Sequence, residues 1–216
     1  MSIKQFKKTG TKEELNALYV KILQAATQRK VKTIMISSCN RREGTSTIAL
    51  NLAHIFAQET SRKVLLVDAN LRHASLAGFF GVVASPGLGE LVSGQADIAS
   101  AVRETDRENL NLLAAGAQAS SPLDIFNSDA LHNCIAELEK VYQYIIIDSA
   151  PVMPYADSLF LAARVDIMLL LLEAGRTRWE VAEEALKKLS NVGVEVFGTI
   201  LNKKKFNIPS FIYNRL

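Results

Sequence analysis

Apolar positions along this chain follow two patterns, short continuous runs and longer stretches at helical spacing. Leu15, Leu18, Tyr19, Ile22 and Leu23 recur on one helical face, which predicts an amphipathic helix over residues 13–27. Residues 33–38 read as a buried strand ending in small polar side chains, 40–44 as a loop, and 45–58 as a helix. Apolar runs at 64–68 and 144–148 each close on an acid, Asp68 and Asp148. Further strands are predicted at 110–114, at 167–172 and at 196–201, the last followed by Asn202. Helices are predicted over 129–141 and 178–189, and a turn with a short helix over 86–94, where glycine and proline interrupt the pattern.

Continuous apolar strands alternating with amphipathic helices predict an α/β fold, a mostly parallel sheet with helices on both faces. Ligands of such sheets bind beyond the carboxyl ends of the strands, where Ser37, Asp68, Asp148 and Asn202 are expected to gather. The chain reads as one domain over residues 1–202 and a C-terminal tail over 203–216, with no internal repeat or low-complexity linker.

Composition narrows the function. The formal charge of +3, from 25 basic and 22 acidic residues, is mild, and the basic residues do not interleave with aromatics in one patch. Nucleic acid is therefore not an expected partner. The two cysteines, Cys39 and Cys134, fit neither a metal knuckle nor a disulfide framework and read as reduced, partly buried thiols. Residues 1–10 are polar, and the longest apolar run, 167–172, is too short to cross a bilayer. A cytoplasmic location is expected, with any membrane association made through a partner or a surface contact.

The chemistry lies between the first strand and its helix, in Ser37-Ser38-Cys39-Asn40-Arg41-Arg42-Glu43-Gly44-Thr45-Ser46-Thr47. A phosphate loop needs that setting, because backbone N–H groups and a helix N-terminus then face an anion together. It also uses glycines for close approach, a lysine on the outer phosphates and a hydroxyl on magnesium. Gly44 and the Ser46 hydroxyl are present, but Thr45 stands at the lysine position and Arg42 at the earlier glycine position. Asp68 and Asp148 at strand ends can hold a magnesium-bound water or accept a proton. A lone strand-end aspartate can instead cap the turn that follows.

Taken together, these motifs resemble the bacterial tyrosine kinase family of polysaccharide biosynthesis and export. That family is a branch of the ParA/MinD-like P-loop ATPases with a deviant Walker A motif. The family's S-S-x-x-P-G-E-G-K-S-T reads SSCNRREGTST here, followed by Asn51-Leu52-Ala53. Its D-A-D-L-R is matched at Val67 to Arg72, and its L-x-x-x-F-G at Leu76 to Gly81. Its Y-x-I-I-D-x-P-P-V appears at Tyr144 to Val152 with Ala150 for the first proline, and its P-G-L-x-x-x-L-x-G at Pro86 to Gly94. Asp157, followed by Leu161-Ala162, and Asn202 also fall where the family has them.

The resemblance implies ATP or ADP with Mg2+ as cofactors, provided the altered loop still binds nucleotide. Backbone groups around Glu43, Gly44 and Thr45, continuing through Thr47, would cradle phosphate. Ser46 would ligate magnesium, Asp68 would act as base or metal-water ligand, and Asp148 would be the Walker B acid. Asn202 would face the adenine. The expected partner is a membrane-bound polysaccharide co-polymerase or export protein, which would hold the chain at the inner membrane. Homo-oligomer formation is left open, since the family's E-x-x-R-x-x-R helix meets Ala17 and Val20 from Glu14, or Asn16 and Tyr19 from Glu13.

Several departures bear on activity. Thr45 carries no charge, Asn70 replaces the second acid of the Asp-x-Asp pair, and Tyr213 is the single tyrosine beyond Asn202. Arg41 and Arg42 either replace the lysine, since guanidinium binds phosphate well, or are solvated loop residues. The leading expectation is a pseudokinase that regulates or scaffolds polysaccharide export. Its rivals are an active ATP-dependent autokinase or ATPase using Arg41 or Arg42, and a MinD-like ATP-dependent switch. His54, His73 and His132 lack metal-ligand spacing, Trp179 reads as a packing anchor, and residues 203–205 read as a solvated strand exit.

Overall fold

The fold is seen in a computed structural model that describes residues 12–117, 121–126 and 128–204. The tail beyond residue 204, Tyr213 included, and the first eleven residues lie outside the described residues. In chain order the elements are α1 (Lys12–Gln28), β1 (Thr33–Ser38), α2 (Thr45–Thr60), β2 (Val64–Ala69) and α3 (Leu76–Phe80). There follow α4 (Leu88–Val92), α5 (Ile98–Ala101), β3 (Val102–Glu104), β4 (Leu110–Leu113), α6 (Pro122–Phe126) and α7 (Asp129–Val141). The chain continues with β5 (Tyr144–Ser149), α8 (Asp157–Ala162), β6 (Ile167–Glu173), α9 (Trp179–Asn191) and β7 (Val196–Asn202).

The seven strands form one sheet in the order β3-β4-β2-β5-β1-β6-β7, parallel throughout except for the antiparallel pairing of β3 with β4. Every residue of β1, β2 and β5 is buried, as continuous apolar runs require in a sheet covered on both faces. Successive side chains point to opposite faces. Ile34 and Ile36 accordingly enter a core with α1 and α2, while Met35 enters a second core with α4, α7, α8 and α9. Tyr19, Phe56 and Tyr144 pack edge to face and tie α1, α2 and β5 together.

The strands and long helices lie where the apolar pattern predicted them. Four short helices (α3, α5, α6 and α8) and the three-residue edge strand β3 were not predicted. Segments of three to six residues are too short to display a period, so tertiary contacts decide them. The connection from β1 leads toward β2, whereas that from β5 crosses to β6 on the other side of β1. Such divergence opens a crevice at the carboxyl ends of the strands.

Candidate functional site

The loop leaving β1 is held from behind. Glu43 is buried, and its carboxylate accepts from the Asn40 backbone N–H (3.1 Å), the Asn40 side-chain amide (3.2 Å) and the Thr177 hydroxyl (2.6 Å). The Asn202 amide donates to the Glu43 carbonyl at 2.8 Å, and the Lys203 ammonium to the Arg42 carbonyl at 2.5 Å. A Cβ on Gly44 would lie 2.5 Å from Asn202 Nδ2, and Gly44 has φ +105°, so only glycine fits there. Arg42 also has positive φ, at 66°. Arg42 thus holds a left-handed turn, which glycine adopts most readily, at the position where the resembling motif carries glycine.

Gly44 opens α2 without a side-chain cap. The N–H groups of the first helical turn, from Thr45 through Thr47, therefore have no intrahelical acceptor and can receive an anion. Above them is a cavity of about 330 Å³ lined in part by Ser38, Arg41, Arg42, Gly44 and Thr45. Ser46, Thr47, Asn70, His73, Ser149 and Pro151 complete the wall. Arg41 and Arg42 are exposed and have no ion-pair partner among the described residues.

Asp68 and Asp148 are directly paired in the register of β2 and β5, close in the chain to the wall residues Asn70 and Ser149. Asp68 accepts from the backbone N–H groups of Ser75 (2.9 Å), Leu76 (3.0 Å) and Asn70 (3.3 Å). It thereby shapes the turn after β2 and caps α3. Burial raises its pKa, and those three bonds offset part of the rise. Asp148 is wholly buried, and neither of its oxygens meets a donor in hydrogen-bond geometry. Burial, then the charge of Asp68, push its pKa well above the carboxylate range, while the Ser46 hydroxyl acts in the opposite sense.

A buried carboxylate left without donors is costly unless a cation completes it. Asp148, Asp68 and the Ser46 hydroxyl form a hard oxygen donor set of the kind magnesium uses alongside phosphate oxygens. Among the described residues no cluster of three or more histidine, cysteine or acidic side chains could hold a metal by itself. The residues present fit magnesium brought with a phosphate ligand rather than a closed metal centre.

The structure gathers Arg41, Arg42, Gly44, Thr45, Ser46 and Thr47 on the cavity wall; Asp68 and Asp148 are buried and do not line it. Glu43 and Asn202 are placed behind the loop and do not line the cavity; Asn202 is 3% exposed. Lys203 is bonded to the loop and to Glu173 (3.0 Å), so it is more than a solvated strand exit. Trp179 is 74% exposed and therefore not a packing anchor: at the first position of α9 it projects from the surface. Sequence reasoning missed His73 and Ser149 as wall residues and Thr177 as a loop support. Cys39 is buried and its thiol is pushed up to about 12 by burial and by Glu43, so it is inert, and both cysteines are free.

A family model described as an AAA domain matches residues 31–193. The tyrosine-protein kinase YwqD of Bacillus subtilis is 30% identical over 200 residues, covering 93% of this chain and 84% of that protein. The tyrosine-protein kinase ptk of Acinetobacter johnsonii is 29% identical over 190 residues, but the chain spans only 26% of its length. Among solved structures, the VpsO kinase domain superposes with a TM-score of 0.79 at 33% identity, covering 90% of this chain and 98% of that one. The septum site-determining protein MinD of Pyrococcus horikoshii, complexed with Mg-ADP, superposes with a TM-score of 0.65 at 25% identity, covering 79% and 70%. Fold and site thus define a ParA/MinD-like P-loop protein. Within that class the chain belongs to the bacterial tyrosine kinase family.

Proposed function

We propose that this chain is a tyrosine-kinase-like regulator of polysaccharide biosynthesis and export that binds Mg-nucleotide but transfers phosphoryl groups weakly or not at all. One observation carries the reading. Beside an open phosphate loop whose lysine position is Thr45, the buried Asp148 carboxylate has no donor in hydrogen-bond geometry and the Ser46 hydroxyl stands on the cavity wall. The first turn of α2 supplies N–H donors to the inner phosphates. Magnesium, when bound, neutralises phosphate charge. The Ser46 hydroxyl and the carboxylates of Asp68 and Asp148 would hold it. Thr45 offers a hydroxyl where charge develops during transfer. Losing one such preorganised contact costs about 3 kcal/mol, or roughly a hundredfold in rate.

The partner in this reading is a membrane-bound polysaccharide co-polymerase or export protein that keeps the chain peripheral at the inner membrane. No helix among the described residues is long and apolar enough to cross a bilayer. Calorimetry with ADP and ATP, with and without magnesium, tests the reading. Micromolar, magnesium-dependent binding with negligible autophosphorylation supports it. Rapid magnesium-dependent autophosphorylation, or no binding at millimolar nucleotide, rejects it.

A second reading, an active enzyme, draws on Arg41 and Arg42, which line the cavity without an ion-pair partner among the described residues. It requires Arg41→Ala or Arg42→Ala to abolish turnover, and unchanged turnover would remove both arginines from that role.

A further inference from the structure

Arg42 and Lys203 are 161 positions apart, and both adopt left-handed backbone conformations, at φ 66° and φ 56°. Left-handed φ places Cβ close to the following carbonyl, so an L-residue holds it only when its surroundings compensate. At Arg42 one bond does this from outside the loop. The Lys203 ammonium donates to the Arg42 carbonyl at 2.5 Å and to Glu173 Oε2 at 3.0 Å. Glu173 is the better buried member of that ion pair, with its side chain 15% exposed against 38% for Lys203. Glu173 is itself fixed, because its backbone N–H donates to the Thr177 hydroxyl (2.9 Å), which in turn donates to Glu43 (2.6 Å). The end of β7 therefore takes two successive loop carbonyls, Arg42 through Lys203 and Glu43 through Asn202.

We propose that Lys203 is a positioning residue for the phosphate loop, replacing from a distance the conformational freedom that a glycine at position 42 would provide. It acts through Arg42 and touches no nucleotide. By holding the Arg42 carbonyl on the far side of the loop, it keeps the N–H groups at the start of α2 turned toward the cavity. The arrangement explains how a bulky residue occupies a glycine position without closing the site. This inference rests on the nucleotide-binding reading above for its function, but its structural part stands separately.

The test is a double-mutant cycle of Lys203→Met and Arg42→Gly on the full chain, read by Mg-ADP calorimetry and by urea unfolding. Lys203→Met is expected to weaken Mg-ADP binding about three- to tenfold in the wild-type background, given a charged hydrogen bond that is partly exposed. In the Arg42→Gly background the same substitution is expected to cost less than about twofold, because glycine adopts the turn unaided. Lys203→Arg, which keeps a donor, is expected to recover part of the loss. Equal losses in both backgrounds, or no loss in either, overturn the proposal. If the wild-type chain binds no Mg-ADP, the nucleotide reading fails and the unfolding cycle decides the latch. There, a coupling of at least about threefold in the unfolding constant supports the latch, and strict additivity rejects it.

Discussion

At Asp148 stability and ligand chemistry oppose each other. Its carboxylate is buried without donors beside Asp68, an arrangement that favours the protonated form. Its folded pKa lies above the ordinary 3.8, so its contribution is fullest below that value and is lost as pH rises through the folded pKa. Asp148→Asn removes the charge at nearly constant shape. It is expected to raise the thermal midpoint of the nucleotide-free chain by roughly 3–6 °C. The same change is expected to abolish the magnesium dependence of nucleotide binding, which scanning calorimetry and titration check together. Gly44→Ala should act in the other direction, since its Cβ would meet Asn202 Nδ2 at 2.5 Å and its φ is +105°. A loss of about 2 kcal/mol in urea unfolding is expected. Neither residue's environment was legible in the sequence. The pattern placed Gly44 on a loop and Asp148 at a strand end, but burial without partners and contact with Asn202 depend on segments far along the chain.

Between elements, two carboxylates fasten loops, the first of them one that carries cavity-wall residues. Asp157, at the start of α8, receives Arg72 in a two-pronged pair, with Nε–Oδ2 at 2.5 Å and Nη2–Oδ1 at 3.2 Å. The guanidinium also lies 4.7 Å from the centre of the Tyr155 ring. This joins the turn after β2, which carries Asn70 and His73, to the segment after β5. Arg72→Ala leaves Asp157, whose side chain is 4% exposed, without its ion-pair partner. Because Arg72 is 37% exposed, a loss of about 1–2 kcal/mol is expected, and Arg72→Lys should not restore it. Glu90, in α4, fastens a different pair of segments. Burial opposes its ionisation, but the Ser85 hydroxyl and the N–H groups of Ala117 and Gly87 outweigh that and hold it at about 2. Its folded pKa lies below the ordinary 4.5, so its contribution is present above that pH and is lost as pH falls through about 2. Glu90→Gln should therefore flatten the acid limb of the stability profile between those values, as measured by urea unfolding across pH.

For the whole molecule, a ligand that binds only the folded state stabilises it by mass action. Mg-ADP at a hundred times its dissociation constant adds about 2.7 kcal/mol, which for a chain of this size raises the thermal midpoint by roughly 5–10 °C. An unchanged midpoint at millimolar Mg-ADP would reject nucleotide binding. The sequence by itself determined the sheet's central strands, the helices that cover them and the loop that opens the site. Each of those depends on local apolar periodicity or on residues adjacent in the chain. It also placed Thr45, Arg42 and Asn70 where the motifs of the resembling family carry lysine, glycine and aspartate. Only the tertiary structure decided that Asn202 and Lys203 grip the loop from behind, that Arg42 keeps a glycine's turn, and that Asp148 is left without a partner. The grip on the loop depends on contacts between residues more than a hundred positions apart, and Asp148 meets Asp68 across two strands; no local pattern brings such residues together.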